Sequence, residues 1–163
     1  MSDEPVTVIT TPIRLEYDFT PGIAASEALR ALTKGRILAQ RCPKCQKVYV
    51  PPRGACARCG VACEGTFEVA DTGIVTTFCI VDIPFAGQAV ECPYVSASIL
   101  LDGADTSIFH LLQEVDPSIV TMGMRVRAVW DDEPKPTMQT IRYFKPTGEP
   151  DMPLAEVLER IHG

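Results

Sequence analysis

Cys42-Pro43-Lys44-Cys45, ten intervening residues, then Cys56-Ala57-Arg58-Cys59-Gly60 form a C-x2-C-x10-C-x2-C array, and its reading decides the fold of the N-terminal half. Two residues between cysteines let both sulfurs of a tight turn face one ion, and the intervening loop folds back as a hairpin to bring the second pair opposite the first. Four thiolates complete a tetrahedron, and zinc is the ion that suits it. No ligand position stays open for water or substrate, so Cys42, Cys45, Cys56 and Cys59 are read as one structural zinc site. Iron in an electron carrier is the competing metal, but the chain shows no motif for a partner cofactor and carries a large further domain. Seven cysteines are present, an odd count with no export signal, which argues for metal rather than a disulfide framework. Cys63 follows the ribbon but breaks the paired-turn spacing and is read as a bystander. Cys79 and Cys92 are read as small buried hydrophobes.

Working outward from the array, Ile13-Arg14-Leu15-Glu16-Tyr17-Asp18-Phe19 alternates apolar and charged residues, the pattern of an extended strand with one buried face. Either the chain's own domain or a partner subunit covers Ile13, Leu15, Tyr17 and Phe19. Thr20-Pro21 opens a helix expected over Pro21 to Lys34, with Thr20 as N-cap and Gly35 as the stop. Its apolar face is Ile23, Ala24, Ala28, Ala31 and Leu32. Beyond the array come β-like runs over residues 66–69, 73–81, 94–101, 107–115, 125–130 and 140–144, separated by turn signals such as Asp71-Thr72-Gly73 and Asp102-Gly103. Five or six short strands with little helix between them predict an antiparallel barrel or sandwich, and a five-stranded OB-type barrel fits the size. Leu154, Val157, Leu158 and Ile161, spaced i, i+3, i+4, i+7 after Asp151, predict a short amphipathic helix with an Asp cap. The fold expected is therefore mainly β: an N-terminal arm and helix over 1–35, a zinc ribbon over 36–63, an OB-fold barrel over 64–150 and a C-terminal helix over 151–163.

The net charge of −6 is unevenly distributed. Residues 1–63 carry nine basic and five acidic groups, a balance of +4, whereas 64–163 carry six and sixteen, a balance of −10. From Ala28 to Cys63 there are eight Arg or Lys and no carboxylate. Arg41, Lys44, Lys47, Arg53 and Arg58 offset the −2 charge of a four-thiolate zinc site; the same groups could also hold a ligand's phosphates. A nucleic-acid module is the alternative reading, since ribbons and OB barrels both serve there, but a barrel half at −10 opposes a phosphate backbone. The phosphates of coenzyme A would prefer the ribbon, at Arg53 or Arg58, over the acidic barrel. No P-loop, G-x-S-x-G or H-E-x-x-H occurs. The two histidines, His110 in an apolar run and His162 next to the end, are not read as bases for a catalytic thiol, so no catalytic residues are assigned. With no apolar stretch long enough to span a membrane and no basic-then-apolar N-terminus, a cytoplasmic location is expected.

These residues carry a family resemblance. Phe19-Thr20-Pro21-Gly22, Gly35-Arg36-Ile37-Leu38, Arg41-Cys42-Pro43-Lys44-Cys45, Val48-Tyr49-Val50-Pro51-Pro52-Arg53, Thr72-Gly73-Ile74-Val75, Pro93-Tyr94-Val95 and Gly123-Met124-Arg125-Val126 together resemble the acyl-CoA-associated OB-fold family with an N-terminal rubredoxin-like zinc ribbon. The C-x-x-C pairs are common to many ribbons; their combination with Pro51-Pro52-Arg53 and Gly123-Met124-Arg125-Val126 is more specific. One departure is Gln46, where the family often has Gly. The resemblance implies an accessory subunit of a thiolase-superfamily complex, a lipid-transfer-protein-like thiolase or a retro-aldolase that shortens fatty acyl or sterol-derived acyl-CoA side chains. The partner would supply the catalytic residues, and Ile13, Leu15, Tyr17, Phe19 and Ile23 are the expected partner contacts.

Overall fold

A computed structural model describes residues 5, 7–11 and 14–162. Helix α1 spans Gly22–Leu32. Pro21, not Thr20, is its N-cap, and no side chain caps the first turn, because the proline ring offers no hydrogen-bond acceptor. The far end closes as expected. Gly35 sits at φ +66°, its N–H reaches Leu32 O at 2.9 Å and the Arg36 N–H reaches Ala31 O at 3.2 Å, which satisfies the last carbonyls of the helix. Of the expected apolar face, Ala28, Ala31 and Leu32 are buried, but Ile23 is 92% exposed. The first turn overhangs an open groove, and none of the described residues covers Ile23.

Strand β1 (Ile37–Arg41) is central to a three-stranded antiparallel sheet, with β2 (Val48–Tyr49) on one side and β3 (Phe67–Val69) on the other. The run at 66–69 thus pairs with the ribbon rather than joining the barrel. Four consecutive residues of β1 are buried, because both faces are covered. Leu38 packs with Ala28 and Ala31 of α1, while Ile37 and Ala39 join the main core.

The barrel consists of β4 (Thr72–Val81), β5 (Tyr94–Leu101), β6 (Ile108–Leu112), β7 (Arg125–Trp130) and β8 (Ile141–Pro146), closed in the order β4-β5-β6-β8-β7. This is the five-stranded architecture the strand count predicts, except that β6 and β8 run parallel. Val95, Ala97, Ile99 and Leu101 of β5 point inward on the period of a strand and meet Ile74, Leu112, Val126, Ile141 and Phe144. Gly73 is obligatory here, because a Cβ would collide with the Leu100 carbonyl. A β-bulge between Val75 and Thr77 changes the phase of β4. Cys79, expected to be buried, consequently lies exposed on the outer surface.

Helix α2 (Leu154–His162) buries Val157 in the barrel core, with Leu154, Leu158 and Ile161 about half exposed. Asp151 does not cap it: its carboxylate accepts a 2.7 Å hydrogen bond from the Thr121 hydroxyl. Gly123, at φ +91°, lies so close to the Met152 carbonyl that a Cβ would occupy the same space.

Ribbon and barrel share one hydrophobic core, in which Leu32, Ile37, Ala39, Val48 and Val50 join the barrel interior. Polar bonds fix the junction. The Val48 N–H donates to the Asp105 carboxylate at 2.8 Å, the Asp105 N–H donates to Val48 O at 2.9 Å, and the Val50 N–H donates to Thr106 Oγ1 at 2.9 Å.

Candidate metal centre

The four expected cysteines converge. Each offers one sulfur, and the sulfurs of Cys42, Cys45, Cys56 and Cys59 all lie within 4.8 Å of one another. Zinc–sulfur bonds of about 2.3 Å arranged tetrahedrally put neighbouring sulfurs about 3.8 Å apart. The Cys45 and Cys56 sulfurs are 3.7 Å apart, one edge of that tetrahedron. Each knuckle folds the same way. The Gln46 N–H returns to Cys42 O at 3.0 Å and the Gly60 N–H to Cys56 O at 2.9 Å, and both residues have positive φ, 63° and 68°. The departure at Gln46 therefore places an L side chain in the left-handed region where its counterpart is glycine.

Backbone amides aim at the sulfurs. Cys42 Sγ accepts from the N–H groups of Lys44 and Cys45 at 3.4 Å, and Cys56 Sγ from the Cys59 N–H at 3.3 Å. The buried Tyr49 hydroxyl lies 3.2 Å from Cys56 Sγ and holds that thiol down to about 6. Hydrogen bonding with Cys45, added to burial, pushes Cys59 up to about 12. Four thiolates so close require a positive ion among them. Donor type, spacing and the amide shell all fit a single zinc ion, which would cross-link the two knuckles and leave no position open for reaction.

Sequence reasoning did not single out the residues that support this cluster. Gln40, buried in β1, donates to Cys63 O at 2.8 Å and accepts from the Gly54 N–H at 2.8 Å, so one side chain ties both flanks of the second knuckle to the central strand. Only the position of a polar residue inside an apolar strand hinted at this. Cys63 is outside the ligand set, buried beside it, and burial raises its thiol. The cations of the ribbon are partly engaged: Arg41 lies over the Phe67 ring at 5.4 Å and Arg53 over the Tyr49 ring at 5.5 Å.

Arg53 also lines a groove of about 660 Å³ between the first turn of α1 and the segments Pro52–Gly54 and Cys63–Thr66, together with Glu27 and Glu64. Arg58 sits within the second knuckle, outside that groove. On its far side α1 covers a second cavity of about 220 Å³, lined by apolar residues of the helix, β1, Val50, Pro51, Ile108, Met138 and Ile141. His110 is a strand residue of β6, edge-on to Phe144; burial depresses its pKa and its Nδ1 accepts the Leu111 N–H. The N-terminal arm does not form the expected strand. Residues 14–20 belong to no strand, and Leu15, Tyr17 and Phe19 are 78%, 76% and 74% exposed; Ile13 lies outside the described residues.

Comparison with known proteins gives matches on both halves. Residues 30–62 match the family described as ChsH2, rubredoxin-like zinc ribbon domain, and residues 67–131 match that described as ChsH2, C-terminal OB-fold domain. A protein of Thermomonospora curvata named probable enoyl-CoA hydratase alpha subunit is 30% identical over 120 residues, 73% of this chain and 37% of that protein, so the chain spans little more than a third of its relative's length. A solved structure described as Ltp2-ChsH2(DUF35) aldolase is 27% identical with a TM-score of 0.59, covering 77% of this chain and 95% of the other. A DUF35-family protein of unknown function from Sulfolobus solfataricus, 18% identical, shares the fold at a TM-score of 0.60 over 77% of this chain and 86% of its own.

Proposed function

Since the chain belongs to the family that joins a ChsH2-type rubredoxin-like zinc ribbon to a ChsH2-type OB fold, we propose that it is the accessory, non-catalytic subunit of a thiolase-superfamily acyl-CoA complex in the cytoplasm. Among the described residues no helix is long and apolar enough to cross a membrane. The observation that carries the reading is the apolar arm. Leu15, Tyr17, Phe19 and Ile23 are all at least 74% exposed, grouped within nine residues, and a folded chain that leaves such a group bare offers an anchor set to another protein. The solved relative described as an aldolase contains a ChsH2(DUF35) chain beside Ltp2, which favours a lipid-transfer-protein-like enzyme as the occupant and cleavage of an acyl-CoA side chain, fatty or sterol-derived, as its reaction. That enzyme supplies the reacting groups. This chain stabilises it and contributes Arg53, and from the neighbouring knuckle Arg58, to the phosphates of coenzyme A.

The test is co-expression with a lipid-transfer-protein-like thiolase or aldolase of the same organism. The two are expected to co-elute through an interface on the order of 1,600 Å². Replacing Leu15, Tyr17 and Phe19 together by Asp should separate them without changing the thermal midpoint of this subunit, because these side chains touch little of its own core. Separate elution of the wild-type proteins, with a fully active enzyme alone, would overturn the reading.

A further inference from the structure

We infer that the N-terminal arm of a second copy of this chain adds as a strand to the outer edge of β3, the two copies exchanging arms about a two-fold axis. β3 ends its sheet, and among the described residues its backbone hydrogen bonds run only to β1. Such an edge is a template for an extended segment. The arm is one: Arg14-Leu15-Glu16-Tyr17-Asp18 alternates charged and apolar residues and is exposed throughout. Beside the edge lies a third groove, of about 310 Å³, whose charged lining is Glu27, Arg30, Lys34, Arg36 and Glu68. Glu68 stands 3.9 Å from Arg36 and Glu27 accepts the Thr66 hydroxyl at 2.7 Å. Arg30 and Lys34 make no ion pair among the described residues. Leu38 packs on Ala28 and Ala31 of α1 and is paired with Glu68, so this face of the sheet looks at the helix, and the charged face of an added strand meets the same groove. Charge sets the direction. β3 starts beside Glu27 and runs toward Arg36, so an arm parallel to it places Arg14 near Glu27, Glu16 near Arg30 and Asp18 near Lys34. The reverse direction would set Asp18 against Glu27 and Arg14 against Lys34. The spacings agree, since Arg14 to Asp18 spans about 13 Å of strand and Glu27 to Lys34 about 10.5 Å of helix. The chain's own arm cannot lie this way. Asp18 is four residues from Gly22, a reach of at most about 14 Å, while Lys34 lies about 18 Å from Gly22 along α1 and the turn that follows it, and Phe19 lines the apolar cavity on the opposite side of the helix. A second copy is free of that tether, and exchange uses every contact twice, as a two-fold interface does. The edge is only three residues long, so the association is reversible; it concerns the subunit before it meets the enzyme proposed above, which competes for the same arm.

Sedimentation equilibrium of the full chain over a dilution series should show a reversible dimer that weakens as salt is added, because the matched charges are exposed. Glu16→Lys with Asp18→Lys sets a basic arm against a basic groove, and Arg30→Glu with Lys34→Glu sets an acidic arm against an acidic one; each double variant should lower the association constant by at least about tenfold. All four positions are exposed, so the substitutions leave the core untouched. Mixed in equal amounts, the two variants should form a heterodimer, since each arm then meets a groove of opposite charge. That rescue separates exchange from docking of an arm on its own chain and from loss of folding. A wild-type chain that stays monomeric throughout the series, a dimer indifferent to both double variants, or a mixture that remains monomeric would each overturn the inference. Self-association is measured without the enzyme and co-elution with it, so a monomer that still joins its enzyme refutes only the exchange, and a dimer that ignores the enzyme refutes only the accessory role.

Discussion

Tyr49→Phe removes one oxygen atom from the ribbon and nothing else. The ring is 3% exposed and continues to carry Arg53 at 5.5 Å, so packing and stacking are retained. What is lost is the hydroxyl 3.2 Å from Cys56 Sγ, which donates to that sulfur once it is a thiolate. Groups of this kind, one bond beyond a metal ligand, typically contribute 10–100-fold to metal affinity. The Cys59 N–H remains on Cys56 Sγ at 3.3 Å and supplies part of the same stabilisation, which places the expected loss at the lower end, about tenfold. Competition between the protein and a chromophoric chelator at fixed pH measures it, with Arg53→Ala as a control that should leave zinc affinity within about twofold. Repeating the competition at lower pH adds a sign. Because the hydroxyl favours the thiolate, the variant needs higher pH to bind zinc equally well, and its deficit widens as pH falls. An unchanged zinc dissociation constant would refute the view that Tyr49 is part of the metal site and leave it a core aromatic.

Gly123→Ala is expected to destabilise by on the order of 3 kcal/mol, from a strained φ and a Cβ driven into the Met152 carbonyl, and to lower the thermal midpoint by about 6–12 °C; a loss under 1 kcal/mol would contradict the geometry. Gln46→Gly should raise stability by up to about 1 kcal/mol, since it places glycine at φ 63°, whereas Gly60→Gln at the matching position should cost about as much. Asp102 receives both Arg125 Nη groups, at 2.9 and 2.7 Å, and the Thr72 hydroxyl at 2.6 Å, and the Arg125 bonds hold its pKa below the usual carboxylate value. A lowered folded pKa means that the stabilisation is complete above the unfolded value, about 3.9, and is lost as pH falls through the folded one. Asp102→Asn should therefore cost about 1 kcal/mol at pH 7, limited by the one-third exposure of the carboxylate, and the difference from wild type should shrink below pH 4; a gap that persists at pH 2 would show that charge is not its source.

The ribbon was legible because its chemistry is local: four cysteines at knuckle spacing specify their own geometry whatever surrounds them. The barrel was legible because strands such as β5 alternate inward and outward residues without interruption. What escaped was set by contacts between distant segments. The run at 66–69 reads like any barrel strand, and only its pairing with Ile37, Leu38 and Ala39 assigns it to the ribbon sheet. Cys79 looked buried because a bulge two residues upstream is invisible in an apolar run. Asp151 has the sequence of a cap, but the Thr121 hydroxyl, thirty residues away, binds it first. Alternation in the arm predicted a face covered either by the chain's own domain or by a partner, and among the described residues Leu15, Tyr17 and Phe19 remain exposed, on which the functional reading turns.

The two cavities and the metal are mechanically connected through β2. Tyr49 points toward the sulfurs, and its neighbours Val48 and Val50 point the other way, into the core shared with the barrel, as the two-residue period of a strand requires. Val50 is also part of the floor of the apolar cavity, and Arg53, three residues on, lines the groove. A strand of two residues has almost no stability of its own. Its position is set by the knuckles on one side and by the Asp105 and Thr106 bonds on the other. An ion held by the four cysteines would thus position Val50 and Arg53 together, and its removal would loosen both while the barrel, closed by its own strand pairing, keeps its form.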